Sequence, residues 1–173
     1  MGSLAVIVDS GAGLSQEWYE QGGILVAQHY LNFREGVLGF DFSFPLGYSL
    51  DFSLDYFYKN LRSGVVPSTS SPNIADFAAL YHDAFNSGAS RILVLTCVKE
   101  LNSVFNSATQ AAATHQRSAD ILVADSHTAG PAQALIAAGV KRYFENVADV
   151  KLNDIAEAVE RLSRHGKVYV VAD

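Results

Sequence analysis

Five short apolar runs constrain this chain more than any other feature. LAVIV (4–8), ILVAQHYL (24–31), RILVLT (91–96), DILVAD (120–125) and KVYVVA (167–172) are rich in Val, Ile and Leu, without strict alternation. A strand with one face in water alternates apolar and polar residues; a strand covered on both faces does not. The runs therefore predict buried strands of a parallel sheet. Helical patterns fill the gaps, at 15–22, 53–63, 73–87, 102–116, 131–144 and 153–165. In the third, Ile74, Phe77, Ala78, Tyr81 and Phe85 share one face and Gly88 follows the end. Strand, helix, strand at this spacing reads as one α/β domain over 1–173. Its expected core is a doubly wound, mostly parallel sheet of about five strands with flanking helices.

Composition and charge narrow the partners. Hydrophobic residues make up 49% of the chain and charged residues 17%, enough for a sizeable core. The net charge of −6, with no basic stripe, excludes a nucleic-acid partner. No stretch approaches the roughly 20 apolar residues of a membrane span. The opening MGSLAVIVDS lacks a basic flank and meets Asp9 early, so no signal peptide is expected; Val6 occupies the hydroxyl position of a myristoylation pattern. Cys97 is the single cysteine, which excludes an intrachain disulfide and fits a reducing, cytoplasmic setting. It ends an apolar run and reads as a buried structural thiol.

One segment breaks the rhythm. From Phe40 through Phe42, Phe44, Leu46, Tyr48 and Leu50 to Phe52, every even position is aromatic or Leu. Period two predicts an extended strand or hairpin over about 40–52, with turn chemistry at Pro45 and Gly47. The stripe reads either as a covered sheet edge or as an apolar surface for a ligand or a second copy of the chain, and a homo-oligomer is the expectation.

Ligands of open α/β sheets bind beyond the carboxyl ends of the strands. There the sequence places Ser10 after the first run, Lys99, Asn102 and Ser103 after the third, and His127 after the fourth. The hydroxyl stretch Ser68 to Ser71 leads into a helix, with Asn73 and Asp76 spaced as a near capping box and Ser71-Pro72 as an alternative start. Short hydroxyls, amides and open backbone N–H groups suit an anionic head group.

Enzyme signatures are missing: Gly11-Ala12-Gly13 lacks the third glycine of a dinucleotide loop, and no Walker lysine or Gly-x-Ser-x-Gly elbow occurs. Asp125, Ser126 and His127 are consecutive and are expected to point apart. The histidines at 29, 82, 115, 127 and 165 show no metal-ligand spacing. The residues predict a binding module with no catalytic set, metal or cofactor.

Several stretches, in order along the chain, resemble the DegV family of bacterial fatty-acid-binding proteins. VDSGAGLS is similar to its opening Asp-Ser segment. FYKNLRSGVVPSTSSPNIADF is similar to its Phe-Tyr-x-x-Leu and Pro-x-Thr-Ser-x-Pro segment. LNSVFNSA, VADSHTAG and VYVVAD follow at the matching places. The resemblance implies an N-terminal α/β domain that helps hold a long-chain fatty acid, which family members present to a partner kinase. It also implies that Thr69 and Ser70 lie by the carboxylate and that the Leu101 to Val104 loop closes the same site. Val98 and Lys99 depart from a serine pair, Asn102-Ser103 replaces Ser-Gly, and the aromatic segment 37–50 resembles an insertion. Two other readings stay open: an interaction or structural protein that kept the fold and lost the ligand, and a phosphocarrier of the wider fold group. The second wants a histidine where Ser10 stands.

Overall fold

The chain runs β1 (Ser3–Asp9), α1 (Gln16–Gly22), β2 (Ile24–Ala27), β3 (Tyr30–Arg34), β4 (Asp41–Pro45), α2 (Leu54–Arg62), β5 (Ser68–Ser70) and α3 (Ile74–Asn86). It continues through β6 (Ala89–Thr96), α4 (Val104–Thr114), β7 (Ile121–Asp125), α5 (Pro131–Phe144) and α6 (Leu152–Ser163). This computed structural model describes residues 3–13, 15–34, 41–45, 54–147, 149–166 and 168–169, without the side chains of residues 16, 34, 41–45, 54 and 56.

Four of the apolar runs supply one parallel sheet in the order β2-β1-β6-β7. Both faces are covered, which is why the runs do not alternate. Val6 and Val8 of β1 and Leu93 and Leu95 of β6 face α5 and α6 through Ala137, Val140, Ile155 and Val159, with Tyr19 of α1 in the same cluster. Ile7, Ile92 and Val94 face the other way, onto Phe77 and Tyr81 of α3 and Val104 and Ala108 of α4. The fold is therefore doubly wound. Of the fifth run only Val168 and Tyr169 are described, and neither is in a strand.

Two expectations change. Run 24–31 is not one strand: β2 ends at Ala27, and β3 belongs to a separate antiparallel sheet of order β4-β3-β5. From Tyr30 onward the residues do alternate, with Leu31 and Phe33 buried and Asn32 more open, as a one-face-buried strand requires. The hydroxyl stretch also differs, because Ser68–Ser70 is strand β5, paired to β3 with Leu31 opposite Thr69 and Tyr30 opposite Ser70. Pairing with β3 overrides the weak strand preference of serine. The extended reading of 40–52 holds over β4; the rest of that stripe, and its side chains, lie outside the described residues.

Helix α3 starts at Asn73 and not at Ser71. Asn73 Oδ1 accepts the N–H groups of Ala75 (2.7 Å) and Asp76 (3.1 Å), and Asp76 Oδ2 accepts the Asn73 N–H at 2.8 Å. This closes the capping box. Tyr30 donates to the other Asp76 oxygen at 3.0 Å, so the cap also ties β3 to α3. Asn73→Ala is expected to lower stability by about 1 kcal/mol, read from urea unfolding, with Asn73→Ser close to wild type.

Candidate functional site

The strand order places a switch point between β1 and β6. The chain leaves β1 through α1 on one face and leaves β6 through α4 on the other. The loops after these strands diverge and open a crevice at the sheet's carboxyl edge. Asp9, the last residue of β1, stands at that edge and reaches across it to the start of the β6 loop. Its carboxylate is 1% exposed and has no cation beside it among the described residues. Three donors hold it: Gly11 N–H at 3.0 Å on one oxygen, Cys97 N–H at 2.8 Å and Gln133 Nε2 at 2.7 Å on the other. A buried carboxylate needs such donors, because stripping its water is costly. Gly11 is required here: a Cβ would stand 2.6 Å from Asp9 Oδ1.

Ser10 sits on the 3-10 turn that follows β1 (Ser10–Ala12). Its hydroxyl accepts the backbone N–H of His29 at 2.9 Å and lies 3.0 Å from His29 Nδ1. Ser10 therefore stitches the β1 loop to the crossing between the two sheets. Thr69 and Ser70 are neighbours in β5, so their side chains take opposite faces. Ser70 shares the Tyr30 and Asn32 face and accepts from Asn32 Nδ2 at 3.3 Å. Thr69 is exposed on the Leu31 face, and its hydroxyl has no partner among the described residues.

The β6 loop carries the next group. Asn102 Oδ1 accepts the Val104 N–H at 3.0 Å, and its Nδ2 donates to Cys97 Sγ at 3.2 Å. Ser103 precedes α4 and makes no capping bond, which leaves its hydroxyl uncommitted among the described residues. Lys99 is exposed, with no ion pair among the described residues. Cys97 is buried, as its apolar run implies; burial and the field of Asp9 push its thiol up to about 11, so it stays protonated at neutral pH and is a poor nucleophile.

The β7 loop corrects one expectation. His127 does not turn away from Asp125. Its backbone adopts a left-handed φ of 54°, its N–H donates to Asp125 Oδ1 at 2.7 Å, and Nδ1 stands 3.5 Å from Asp125 Oδ2. Ser126 is buried on the other side and spends its hydroxyl on Thr128, so no relay forms.

An open depression of about 430 Å³ adjoins these loops, walled mainly by Val98, Leu101, Ala129, Val168 and Tyr169. Thr128 also lines it, and its hydroxyl is buried without a partner among the described residues. The bond from Val98 N–H to Thr128 O, 2.8 Å, joins the β6 and β7 loops at this wall. Among the described residues no three metal-ligating side chains cluster, and no helix is long and apolar enough to cross a membrane.

Sequence reasoning missed Asp9, Gln133, Thr128 and His29. A carboxylate closing five apolar residues is the one visible hint for Asp9. Gln133, 124 positions away, carries none.

No curated protein matches the chain. The model of the family described as "Uncharacterised protein, DegV family" matches residues 3–173. Among solved structures, the Bacillus subtilis DegV, described as a fatty acid binding protein, is 23% identical at a TM-score of 0.78, covering 95% of this chain and 55% of that one. A Thermotoga maritima DegV lipid binding protein is 25% identical at 0.78, with 94% and 55% covered. A stearic acid-binding protein of Eubacterium ventriosum is 19% identical at 0.72, with 92% and 52% covered. The chain thus spans about half the length of these structures. With the family's pattern running through the crevice loops from Ser3 to the last residue, on the same fold, the chain belongs to the DegV family.

Proposed function

We propose that the chain binds one long-chain fatty acid, with the carboxylate at the crevice loops and the β5 edge and the acyl chain along the neighbouring depression. One observation carries this reading: the polar loops and the apolar depression share a wall, where Val98 meets Thr128. A ligand with one anionic end and one apolar end fits that junction. The solved relatives described as fatty-acid-binding support it. Thr69, Ser103 and Lys99 supply uncommitted polar groups around the head, and His127, whose Nδ1 stands by Asp125, adds its other ring nitrogen; Ser10, Ser70 and Asn102 shape the rim through His29, Asn32 and the Cys97 loop. Leu101 and Tyr169 stand 66% and 86% exposed, so the acyl chain needs a second wall, which we assign to another copy of this chain. The reading is one of binding and presentation to a partner kinase, without turnover by this chain.

Native mass spectrometry of the purified protein is expected to show one bound fatty acid per chain, and titration calorimetry to show palmitate uptake by the stripped protein. Thr69→Val removes a hydrogen bond to a charged head, about 1.5–3 kcal/mol, so palmitate binds roughly tenfold or more weakly. An unchanged affinity removes Thr69 from the site. Absence of both bound lipid and palmitate uptake overturns the reading.

A further inference from the structure

The imidazole of His29 is held as if to offer one donor. Ser10 Oγ accepts the His29 backbone N–H, and its own proton has no other acceptor than Nδ1 among the described residues. The pairing that uses every group is therefore Ser10 O–H to Nδ1, which puts the ring proton on Nε2. That Nε2–H has no partner among the described residues, yet it is not one of the sealed, unpartnered polar atoms, so it opens to solvent.

Its position joins the two halves of the candidate site. His29 directly precedes Tyr30, which lies opposite Ser70 in the small sheet. A Cβ on Gly11 would sit 3.9 Å from His29 Cε1, so the ring lies over the turn after β1. Among the described residues the charged group acting on it is Asp9, whose field raises the His29 pKa while the larger effect of burial lowers it. An anion arriving at Nε2 would act with Asp9 in favour of the imidazolium.

We propose that His29 is a head-group ligand, its Nε2–H donating to the carboxylate of the bound acid while the Ser10 hydroxyl fixes the tautomer. This rests on the fatty-acid reading above.

The test uses the full chain, ¹⁵N-labelled and stripped of lipid. Long-range ¹H–¹⁵N spectra are expected to show Nδ1 unprotonated and Nε2 protonated in the wild type. The Ser10→Ala variant is expected to populate both tautomers. Palmitate should shift His29 Nε2 and raise its titration midpoint; hexadecanol, which brings no charge, should leave the midpoint in place. His29→Phe is expected to bind palmitate about tenfold more weakly, and His29→Gln, which keeps a side-chain N–H, to recover most of the loss. If wild type takes up no palmitate, the fatty-acid reading itself fails. If wild type binds palmitate but the His29 signals stay still, or His29→Phe binds equally well, the acid is bound and His29 is not its ligand. Should the substitutions unfold the chain, the wild-type spectra alone decide.

Discussion

Asp9→Ala is expected to cost about 3–5 kcal/mol, the largest single-site loss among the crevice residues. The change leaves the buried Cys97 N–H and one Gln133 Nε2 proton without an acceptor, and each lost bond to a charged group is worth about 1.5–3 kcal/mol. Gln133 keeps its other bond, to Leu95 O at 2.9 Å, so it stays in place with a donor unspent. Against an ordinary folding stability of about 5–15 kcal/mol, this loss brings the domain close to unfolding at room temperature. Urea denaturation gives the measurement. The double variant Asp9→Ala with Gln133→Met should be less destabilised than the two single losses added, because the orphaned donor is gone. A single-variant loss below about 1 kcal/mol would mean that water replaces the carboxylate and that Asp9 does not hold the crevice together. Because Asp9 bonds to the β6 loop from the end of β1, its loss should also weaken palmitate binding in variants that remain folded.

The second large effect lies in the core between α3 and α4. Tyr81 is fully buried, its hydroxyl donating to Ala108 O at 2.9 Å and its ring packed 6.1 Å from that of Phe77. Two substitutions separate the contributions. Tyr81→Phe removes the hydroxyl and orphans one carbonyl, about 1 kcal/mol. Tyr81→Ala removes the ring as well and leaves a cavity, about 3–5 kcal/mol. Burial raises the phenol's pKa far above its ordinary value of 10. The folded state thus favours the neutral phenol. Its contribution is complete below about pH 10, where the unfolded tyrosine is also neutral, and is lost as pH rises further. Urea midpoints at pH 7 and above pH 10 check this: wild type should lose more stability than Tyr81→Phe over that interval, and equal losses would refute the assignment.

The parallel sheet and its helices were legible because their causes are local and periodic. Val6, Val8, Leu93 and Leu95 come from runs with no polar interruption, and only a strand covered on both faces tolerates that. Asn73 and Asp76 sit three apart before an apolar face, and the cap forms from those residues alone. The DegV resemblance was legible because its motifs are short contiguous stretches; VDSGAGLS and VADSHTAG run across the ends of β1 and β7.

What the tertiary structure decided depends on residues far apart in the chain. Ser68–Ser70 becomes a strand only because β3 offers it an edge, and run 24–31 divides at Gln28 because its two halves pair with different neighbours. The pairing of strand neighbours sends Thr69 and Ser70 to opposite faces, which the hydroxyl count does not convey. Asp9 meets Cys97 across 88 positions and Gln133 across 124, and Ser10 meets His29 across 19. Hydrogen bonds of this kind leave no periodic trace, because each needs only one donor and one acceptor delivered to the same point by the whole fold. Composition and spacing therefore determined the sheet, its two covered faces and the polar edge. The bonds from Asp9 to the β6 loop and Gln133, and the coupling of Ser10 to His29, were set by the tertiary fold.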